Sequence, residues 1–310
     1  MAPPSLAHIV PQPPTSKHRP SSRLITPTTN PIPLLASSSA RLYALLHTGL
    51  IPSLYLLRSG PLVADPLPTL TYDLIPLATA QAAFCVLCLP AAGTWNNGTK
   101  DAGRGIVEGT ASATNTPIKG GKGSIGRRKG AKTAAHLHDP TVGGFSARIM
   151  PCIFALLLAL LIPPVPIQVL LHALGAPLFP YDQLPHTLAL ATHISLLAFF
   201  PLFYTHGVSS SAWRDIAAAW LPFDEAGVWG GTVGTILGGW FGAIPIALDW
   251  DREWQKWPCT VVWGCVMGWV LGSLLTAGVR VGLGKRIDLS EHEEIPRDMI
   301  DVPIQDKKNE

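Results

Sequence analysis

Charged residues are scarce in this chain of 310 residues. Asp, Glu, Lys and Arg make up 14% of it, against about 25% in soluble proteins, while hydrophobic residues make up 47% and the mean hydropathy is +0.29. This composition excludes an ordinary water-soluble globule and predicts a polytopic membrane protein. The net charge is only +3, so no strong basic field predicts nucleic acid as a partner.

The sequence also lacks the patterns of common catalytic and cofactor sites. Its five cysteines lie in or beside apolar runs, and an odd number there predicts no disulfide framework. Cys85 and Cys88 form a CxxC without a second pair, so buried thiols are the favoured interpretation. We find no GxSxG and no P-loop, and none of the histidines in or near the apolar runs is followed by another His or a carboxylate three or four residues later. The sequence therefore predicts no metal, no cofactor and no catalytic constellation.

Long apolar runs predict an all-α fold with about six transmembrane helices, since about 20 apolar residues span the hydrocarbon core. Residues 149–213 contain no Lys or Arg, as two spans and a short connection require, because a charge at mid-membrane costs about 2.5 to 3.5 kcal/mol. Pro163, Pro164 and Pro166 are expected to kink the third span. The predicted spans are Leu42–Leu57, Leu74–Ala92, Ile149–His172, Leu184–Thr205, Val228–Leu248 and Cys259–Val279.

Polar segments divide these spans into regions. Residues 1–40 form a proline-rich tail and residues 93–147 a basic loop, both predicted to be disordered because they have too few large apolar residues to offset their chain entropy. Residues 41–92 hold the first two spans, residues 148–280 the other four, and residues 281–310 a polar tail. The run Lys119–Lys132 is interpreted as a solvated loop, with anionic lipid or nucleic acid as the alternative ligand.

Basic residues are distributed unevenly between the two sides. Twenty of the 23 lie in the tails, the long loop and the connection after the fourth span, which share one side. This asymmetry predicts that both termini are cytosolic. Lys307 and Lys308 stand at the fourth and third positions from the end of the printed chain, which resembles the dilysine signal that retrieves membrane proteins to the endoplasmic reticulum.

Glycines recur every four residues in the fifth and sixth spans. Small residues at this spacing let helix backbones approach closely in lipid, where no hydrophobic force drives helices together. We expect these rows to form a packing seam between the two spans, with a subunit interface as the alternative; a second row on the fifth span leaves room for both. The residues are Gly230, Gly234, Gly238 and Gly242, then Gly264, Gly268 and Gly272.

The segment Asp249–Pro258, called the hairpin below, concentrates polar and aromatic residues between the last two spans. Its tryptophans are spaced four and three apart, which on a helical turn would place them on one face at the level of the lipid headgroups. Its carboxylates offer ligands for a divalent cation, and Arg252 with Lys256 could hold a phosphate. The alternative is an interfacial turn whose charges pair with one another. The candidate partner- or lipid-binding residues are Asp249, Trp250, Asp251, Arg252, Trp254, Gln255 and Trp257.

Trp213 and three stretches carry a resemblance to a known family: Gly175–Pro177, Pro201–Gly207 and above all Gly238–Pro258. They are similar to the PIG-F family of glycosylphosphatidylinositol (GPI) anchor biosynthesis, in a fungal-type member. The resemblance extends over residues 149–279 and more loosely over 42–92. Ala247 and Glu253 stand where the family pattern predicts proline.

The resemblance implies a multi-pass protein of the endoplasmic reticulum membrane. It would be the non-catalytic partner that binds and stabilises the large GPI ethanolamine-phosphate transferases, which transfer ethanolamine phosphate from phosphatidylethanolamine to the GPI glycan on the luminal side. The charge count places the hairpin on that side. Two alternatives stay open: a phosphoethanolamine transferase in its own right, with Asp249 and Asp251 holding a metal, and a lipid or solute transporter.

Overall fold

A computed structural model describes residues 27–95, 146–248 and 250–287. Within these ranges the chain is helical and forms no strand, apart from an isolated bridge between Phe223 and Leu283. The helices are α1 (Ser38–Leu57), α2 (Ser59–Ala64), α3 (Pro66–Cys88), α4 (Ser146–Leu161), α5 (Pro164–Ala173), α6 (Leu184–Ile194), α7 (Phe200–His206), α8 (Ser210–Ala217), α9 (Val228–Ala243) and α10 (Cys259–Ser273). A π-helical segment, Ser195–Phe199, joins α6 to α7.

Five helical stretches in the described ranges are long and apolar enough to cross a membrane. They are Pro66–Cys88, Ala147–Ala173, Tyr181–His206, Val228–Leu248 and Cys259–Gly278. The prediction of an all-α polytopic membrane protein is therefore confirmed. Helix α1 has 20 residues, or about 30 Å at 1.5 Å per residue, but does not meet the same criteria. The count of six spans stays a prediction.

Contacts between distant segments show which connections share an end of the bundle. At one end, which we call the hairpin end, Cys259 Sγ donates to the carbonyl oxygen of Leu62 at 3.3 Å. At the other, which we call the terminal end, the Leu35 amide donates to the carbonyl oxygen of Cys88 at 2.9 Å, and the Arg286 guanidinium donates to that of Thr29. The two ends of the described chain therefore lie together, opposite the hairpin.

The stretch Tyr181–His206 is the central helix of the bundle, with 89% of its most apolar window buried. Within it, His193 Nδ1 accepts a hydrogen bond from the Tyr55 hydroxyl at 2.5 Å, and His193 Nε2 donates to the carbonyl oxygen of Leu70 at 2.9 Å. These bonds join α1, α3 and α6 and satisfy both ring nitrogens, so His193 is a structural residue of the core.

The second span begins eight residues before the predicted start at Leu74. Helix α3 starts at Pro66 and includes Asp73, whose carboxylate forms an ion pair with Arg58 at 3.0 Å. Pairing offsets the cost of placing this charge in the helix, which hydropathy along the chain does not reveal. The helix also ends at Cys88 rather than Ala92, because Leu89 precedes a proline and adopts an extended conformation.

The third span is interrupted at its prolines, as predicted. Helix α4 ends at Leu161 and α5 begins at Pro164, with residues 162 and 163 in a bend between them. Proline lacks the amide hydrogen that the helical ladder requires and its ring clashes with the preceding turn. The break therefore follows directly from the sequence.

Part of the predicted tail, residues 27–40, is packed onto the terminal end. Ile32 and Leu35 are buried, and α1 begins at Ser38, where the Ser37 hydroxyl accepts a hydrogen bond from the Ala40 amide at 3.2 Å. Residues 1–26, 96–145 and 288–310 lie outside the described residues. The predictions for most of the tail, for the basic loop and for Lys307 and Lys308 are therefore not addressed by the structure.

Candidate functional site

The hairpin connects a 3-10 extension of α9, Ile244–Leu248, to the start of α10. It contains one short 3-10 turn, Glu253–Gln255. Asp249 lies outside the described residues. The other six predicted site residues are described and fall into two groups.

Gln255 and Trp257 hold the hairpin in place. The Gln255 side-chain amide donates to the carbonyl oxygen of Pro245 at 2.6 Å and accepts from the Arg252 backbone amide at 2.9 Å, which closes the turn on itself. The Trp257 indole donates to the Thr187 hydroxyl at 3.1 Å and so ties the hairpin to α6. These two side chains therefore position the hairpin relative to the bundle.

The remaining four described residues face outward. Trp250 and Trp254 are 53% and 42% exposed, and their ring centroids lie 5.9 Å apart. Asp251 and Arg252 are also exposed. The spacing predicted that all three tryptophans share one face, but only Trp250 and Trp254 pair, because Trp257 turns inward to its hydrogen bond. The outward group presents two indoles, a carboxylate and a guanidinium.

Charges in the hairpin partly pair with one another, as the interfacial-turn alternative expects. Lys256 forms an ion pair with Glu253. The hydrogen bond that the Lys256 ammonium group donates to the Glu253 carboxylate, together with the attraction between the two charges, raises the pKa of Lys256. In the described part of the chain, no group of three or more His, Cys, Asp or Glu is placed to hold a metal ion. The ion pair joins Lys256 to Glu253 and does not include the exposed side chain of Arg252.

Helices α9 and α10 approach each other so closely that their glycines meet backbone to backbone. A Cβ atom added at Gly234 would overlap the carbonyl oxygen of Gly268, and one added at Gly268 would overlap that of Gly234. The same reciprocal conflict joins Gly238 with Gly264. It recurs for Gly230 with Gly272, while Gly242 meets Thr260 and Gly264.

The second glycine row on α9 faces the same neighbour. A Cβ at Gly231 would press on the side chains of Ser273 and Trp269, and one at Gly239 would meet the Cys265 sulfur. Glycines of both rows therefore pack against α10 within the chain. The outer face of α9 carries exposed large side chains, including Trp240 and Phe241.

Two buried carboxylates at the terminal end, Asp215 and Asp224, were not predicted from the sequence. Asp215 is fully buried on α8 and accepts hydrogen bonds from the backbone amides of Thr28 at 2.7 Å and Thr29 at 3.1 Å, and from the Arg214 guanidinium at 2.8 Å. Burial alone would raise its pKa, but the hydrogen bonds from Arg214, Thr28 and Thr29 outweigh burial and lower the pKa. Asp215 thus fastens the N-terminal segment to the bundle.

Asp224 caps the start of α9. Its carboxylate accepts from the amides of Val228 at 3.0 Å and Trp229 at 2.8 Å, which satisfies donors that a helix start leaves unpaired. Burial raises the pKa of Asp224 to about 6, against the opposing effect of these amides. The signal in the sequence was an Asp four residues before the first residue of a glycine-rich span. In the structure, Gly227 between them adopts a left-handed conformation with φ 73°.

Comparison with known proteins identifies the family. The family model of GPI biosynthesis proteins, Pig-F, matches residues 46–277, which include every described residue of the hairpin and of the glycine seam. The chain belongs to the PIG-F family. The matched range, residues 46–277, agrees with the resemblance seen over residues 149–279 and more loosely over 42–92.

Curated members of the PIG-F family are similar over most of this chain. Glycosylphosphatidylinositol anchor biosynthesis protein 11 of Aspergillus fumigatus is 33% identical over 258 residues, covering 80% of this chain and 83% of the relative. The protein of that name from Neurospora crassa is 36% identical over 225 residues, covering 73% and 70%. A human relative, 42% identical over 45 residues (14% of this chain and 20% of the relative), is named GPI ethanolamine phosphate transferase, stabilizing subunit. No solved structure matches the chain.

Proposed function

We propose that this protein is a non-catalytic membrane subunit that binds and stabilises a large GPI ethanolamine-phosphate transferase during GPI-anchor biosynthesis. The observation that carries the proposal is membership of the PIG-F family over residues 46–277, together with the name of the human relative, GPI ethanolamine phosphate transferase, stabilizing subunit. The endoplasmic reticulum membrane is the compartment that this role requires. The five apolar spans fit a subunit embedded beside a membrane-bound enzyme.

The hairpin is the surface we assign to the partner. Gln255 and Trp257 fix its position by hydrogen bonds to the bundle, while Trp250, Trp254 and Arg252 are directed outward. Exposed tryptophan and arginine side chains are enriched at protein interfaces because they bury large areas and form several hydrogen bonds. A rigidly held group of this kind suits docking, since little conformational freedom is lost on binding.

The outer face of α9 continues this surface into the membrane. Trp240 and Phe241 are 70% and 68% exposed, and they lie on the helix that leads directly into the hairpin. Because both glycine rows of α9 face α10, we assign its aromatic face to the transmembrane part of the same transferase. Membrane lipid covers whatever part of this face the partner leaves exposed.

Affinity purification in mild detergent tests the partner directly. The tagged full-length chain is expected to retain a GPI ethanolamine-phosphate transferase, identified by mass spectrometry. A variant with Trp250→Ala and Trp254→Ala is expected to lose most of it. Lys256→Ala, which removes an exposed hairpin charge outside the indole pair, is the matched control and should retain the enzyme.

Activity measurements separate the proposal from the alternative that the chain is itself a transferase. The purified chain alone is expected to transfer no phosphoethanolamine from phosphatidylethanolamine to a GPI acceptor, whereas the co-purified complex should do so. Turnover by the isolated chain, lost on Asp251→Asn, would establish the enzyme alternative. Uptake of lipid or solute into vesicles that contain only this chain would establish the transporter alternative.

A further inference from the structure

A cavity of about 440 Å³ lies near the terminal end of the bundle, away from the hairpin. It is bounded by α1, α3, α7, α9 and α10, and it extends from Arg41 in the first turns of α1 to Arg280 just after the last span. This volume falls within the range of about 300 to 1,000 Å³ that is usual for small-molecule sites. The proposed partner surface does not include it.

The inner wall of the cavity carries polar atoms without partners. Gln81 is fully buried, and neither its Nε2 nor its Oε1 forms a hydrogen bond among the described residues. His47 is 1% exposed, and its Nε2 is also unsatisfied; its ring is stacked on Phe84 at 4.5 Å and meets the edge of Trp269 at 5.1 Å. Buried polar groups are nearly always hydrogen-bonded, so a ligand that entered the cavity with polar groups of its own would satisfy these atoms.

The mouth of the cavity is positively charged. Arg41 is exposed there, and Arg280 forms an ion pair with Glu225 at 2.7 Å. Two guanidinium groups and one carboxylate leave one net positive charge at this rim. Guanidinium groups bind phosphate through paired hydrogen bonds and persist in their charged form at any physiological pH.

One side of the cavity is bordered by apolar side chains that are exposed on the bundle. Leu45 and Leu274 line the cavity and are also 69% and 40% exposed on the outside of the bundle. In a bilayer, lipid chains cover such exposed apolar side chains. A ligand in the cavity can therefore keep a hydrocarbon chain in the membrane while its polar groups lie inside.

We propose that this cavity binds one anionic glycerophospholipid from the surrounding leaflet. Its phosphate lies between Arg41 and Arg280, its glycerol ester oxygens and hydroxyls meet Gln81 and His47, and an acyl chain leaves past Leu45. The cationic rim favours a phosphate group, and the unsatisfied amide of Gln81 favours the hydrogen-bonding glycerol backbone of the lipid. The apolar opening favours an acyl chain. A free phosphate ion would use only the first of these three features.

Lipid binding is measured on the full-length chain purified in mild detergent. We expect phosphatidylinositol to raise the thermal midpoint and to bind at least tenfold more tightly to the wild type than to the Arg41→Ala, Arg280→Ala double variant. Lys256→Ala, which removes a cation at the hairpin end, should bind phosphatidylinositol like the wild type. Equal stabilisation by phosphatidylcholine would contradict anionic selection. Equal stabilisation by inorganic phosphate, or unchanged affinity of the double variant, would overturn the lipid site.

The Gln81→Leu variant tests whether the cavity binds lipid or is an empty apolar cavity. This test is independent of Arg41 and Arg280. Without added lipid, the variant is expected to melt at or above the wild-type temperature, because it removes an unsatisfied buried amide. With phosphatidylinositol, the wild type should gain stability and the variant should gain much less. If both gain equally, the amide does not contact the lipid, and the proposed placement is wrong.

Discussion

The α9–α10 interface and the hairpin that joins these helices are adjacent in the chain but differ completely in packing. Along the interface, a Cβ atom at Gly234 would overlap the backbone of α10. In the hairpin, Trp250, Asp251 and Arg252 are exposed. The glycine positions of this interface therefore tolerate no larger residue, whereas the outward hairpin residues contribute little to the fold. Substitutions in the two regions should have different consequences, for stability in the first and for GPI assembly in the second.

We expect Gly234→Leu to have the largest effect on stability. Overpacking a core typically costs about 1 to 3 kcal/mol, and the cost here should lie at or above the top of that range because the conflicting atoms belong to backbone. Yield and thermal midpoint in detergent are the measurements. Gly49→Leu on α1 is the matched control, since a Cβ there has no neighbour within 4 Å. Equal behaviour of the two variants would show that the glycine seam does not hold these helices together.

Asp215→Ala should have the next largest effect, confined to the terminal end. It leaves the half-buried amide of Thr28 and the buried amide of Thr29 without an acceptor, which costs about 1 to 3 kcal/mol. Hydrogen exchange of residues 28–35 should become faster, with little change in α9. The exposed Asp182, replaced by alanine, is the control. Unchanged protection of residues 28–35 would show that Asp215 does not fasten this segment.

The same carboxylate predicts a dependence on pH. Because its hydrogen bonds lower the pKa of Asp215 in the folded state, its stabilising effect is present above the ordinary value of about 4 and is lost as the pH falls through the folded value. The thermal midpoint should therefore fall more between pH 5 and pH 3 in the wild type than in Asp215→Asn. Parallel curves for the two proteins would contradict this assignment.

Hairpin variants should leave stability nearly unchanged. Arg252→Ala and Asp249→Asn are expected to reach the membrane at normal levels yet reduce addition of ethanolamine phosphate to GPI precursors, seen as accumulation of unmodified intermediates. Surface ion pairs contribute only about 0.2 to 1 kcal/mol, so mere loss of pairing would have no such effect. Near-normal GPI assembly in both variants would reduce the hairpin to a structural turn.

The smallest expected change concerns Asn97, in the sequon Asn97-Gly98-Thr99, which lies outside the described residues. The charge count places its loop in the cytosol, so we expect no glycan there, whereas a sequon inserted after Leu248 with a sufficient spacer should be modified. Endoglycosidase digestion checks both. A glycan on Asn97 would invert the predicted orientation and move the hairpin out of the lumen.

Local chemistry made much of the membrane fold predictable. Helices α9 and α10 begin at Val228 and Cys259, as predicted, since Gly227 and Pro258 mark those boundaries. The glycine spacing predicted a seam because small residues four apart lie on one helix face. The break before Pro164 followed from the missing proline amide.

Features that depend on distant partners could not be predicted in this way. Asp215 meets Thr28 across 187 positions, and nothing near either residue indicates the pair. Asp73 is placed in a span because Arg58 neutralises it, whereas hydropathy treats it as a boundary. In the hairpin, Trp257 turns inward because Thr187 of another helix accepts its hydrogen bond. In each case the interaction arises only when the helices assemble.

The central claim, that this protein stabilises a transferase without catalysing the transfer, is tested most directly by the lifetime of the enzyme in cells. After rapid depletion of this chain, the half-life of the GPI ethanolamine-phosphate transferase is followed in a pulse-chase experiment. The account predicts that the half-life falls several-fold and recovers when the wild-type chain is restored. An unchanged half-life and unchanged transferase abundance, with GPI assembly nevertheless blocked, would contradict it.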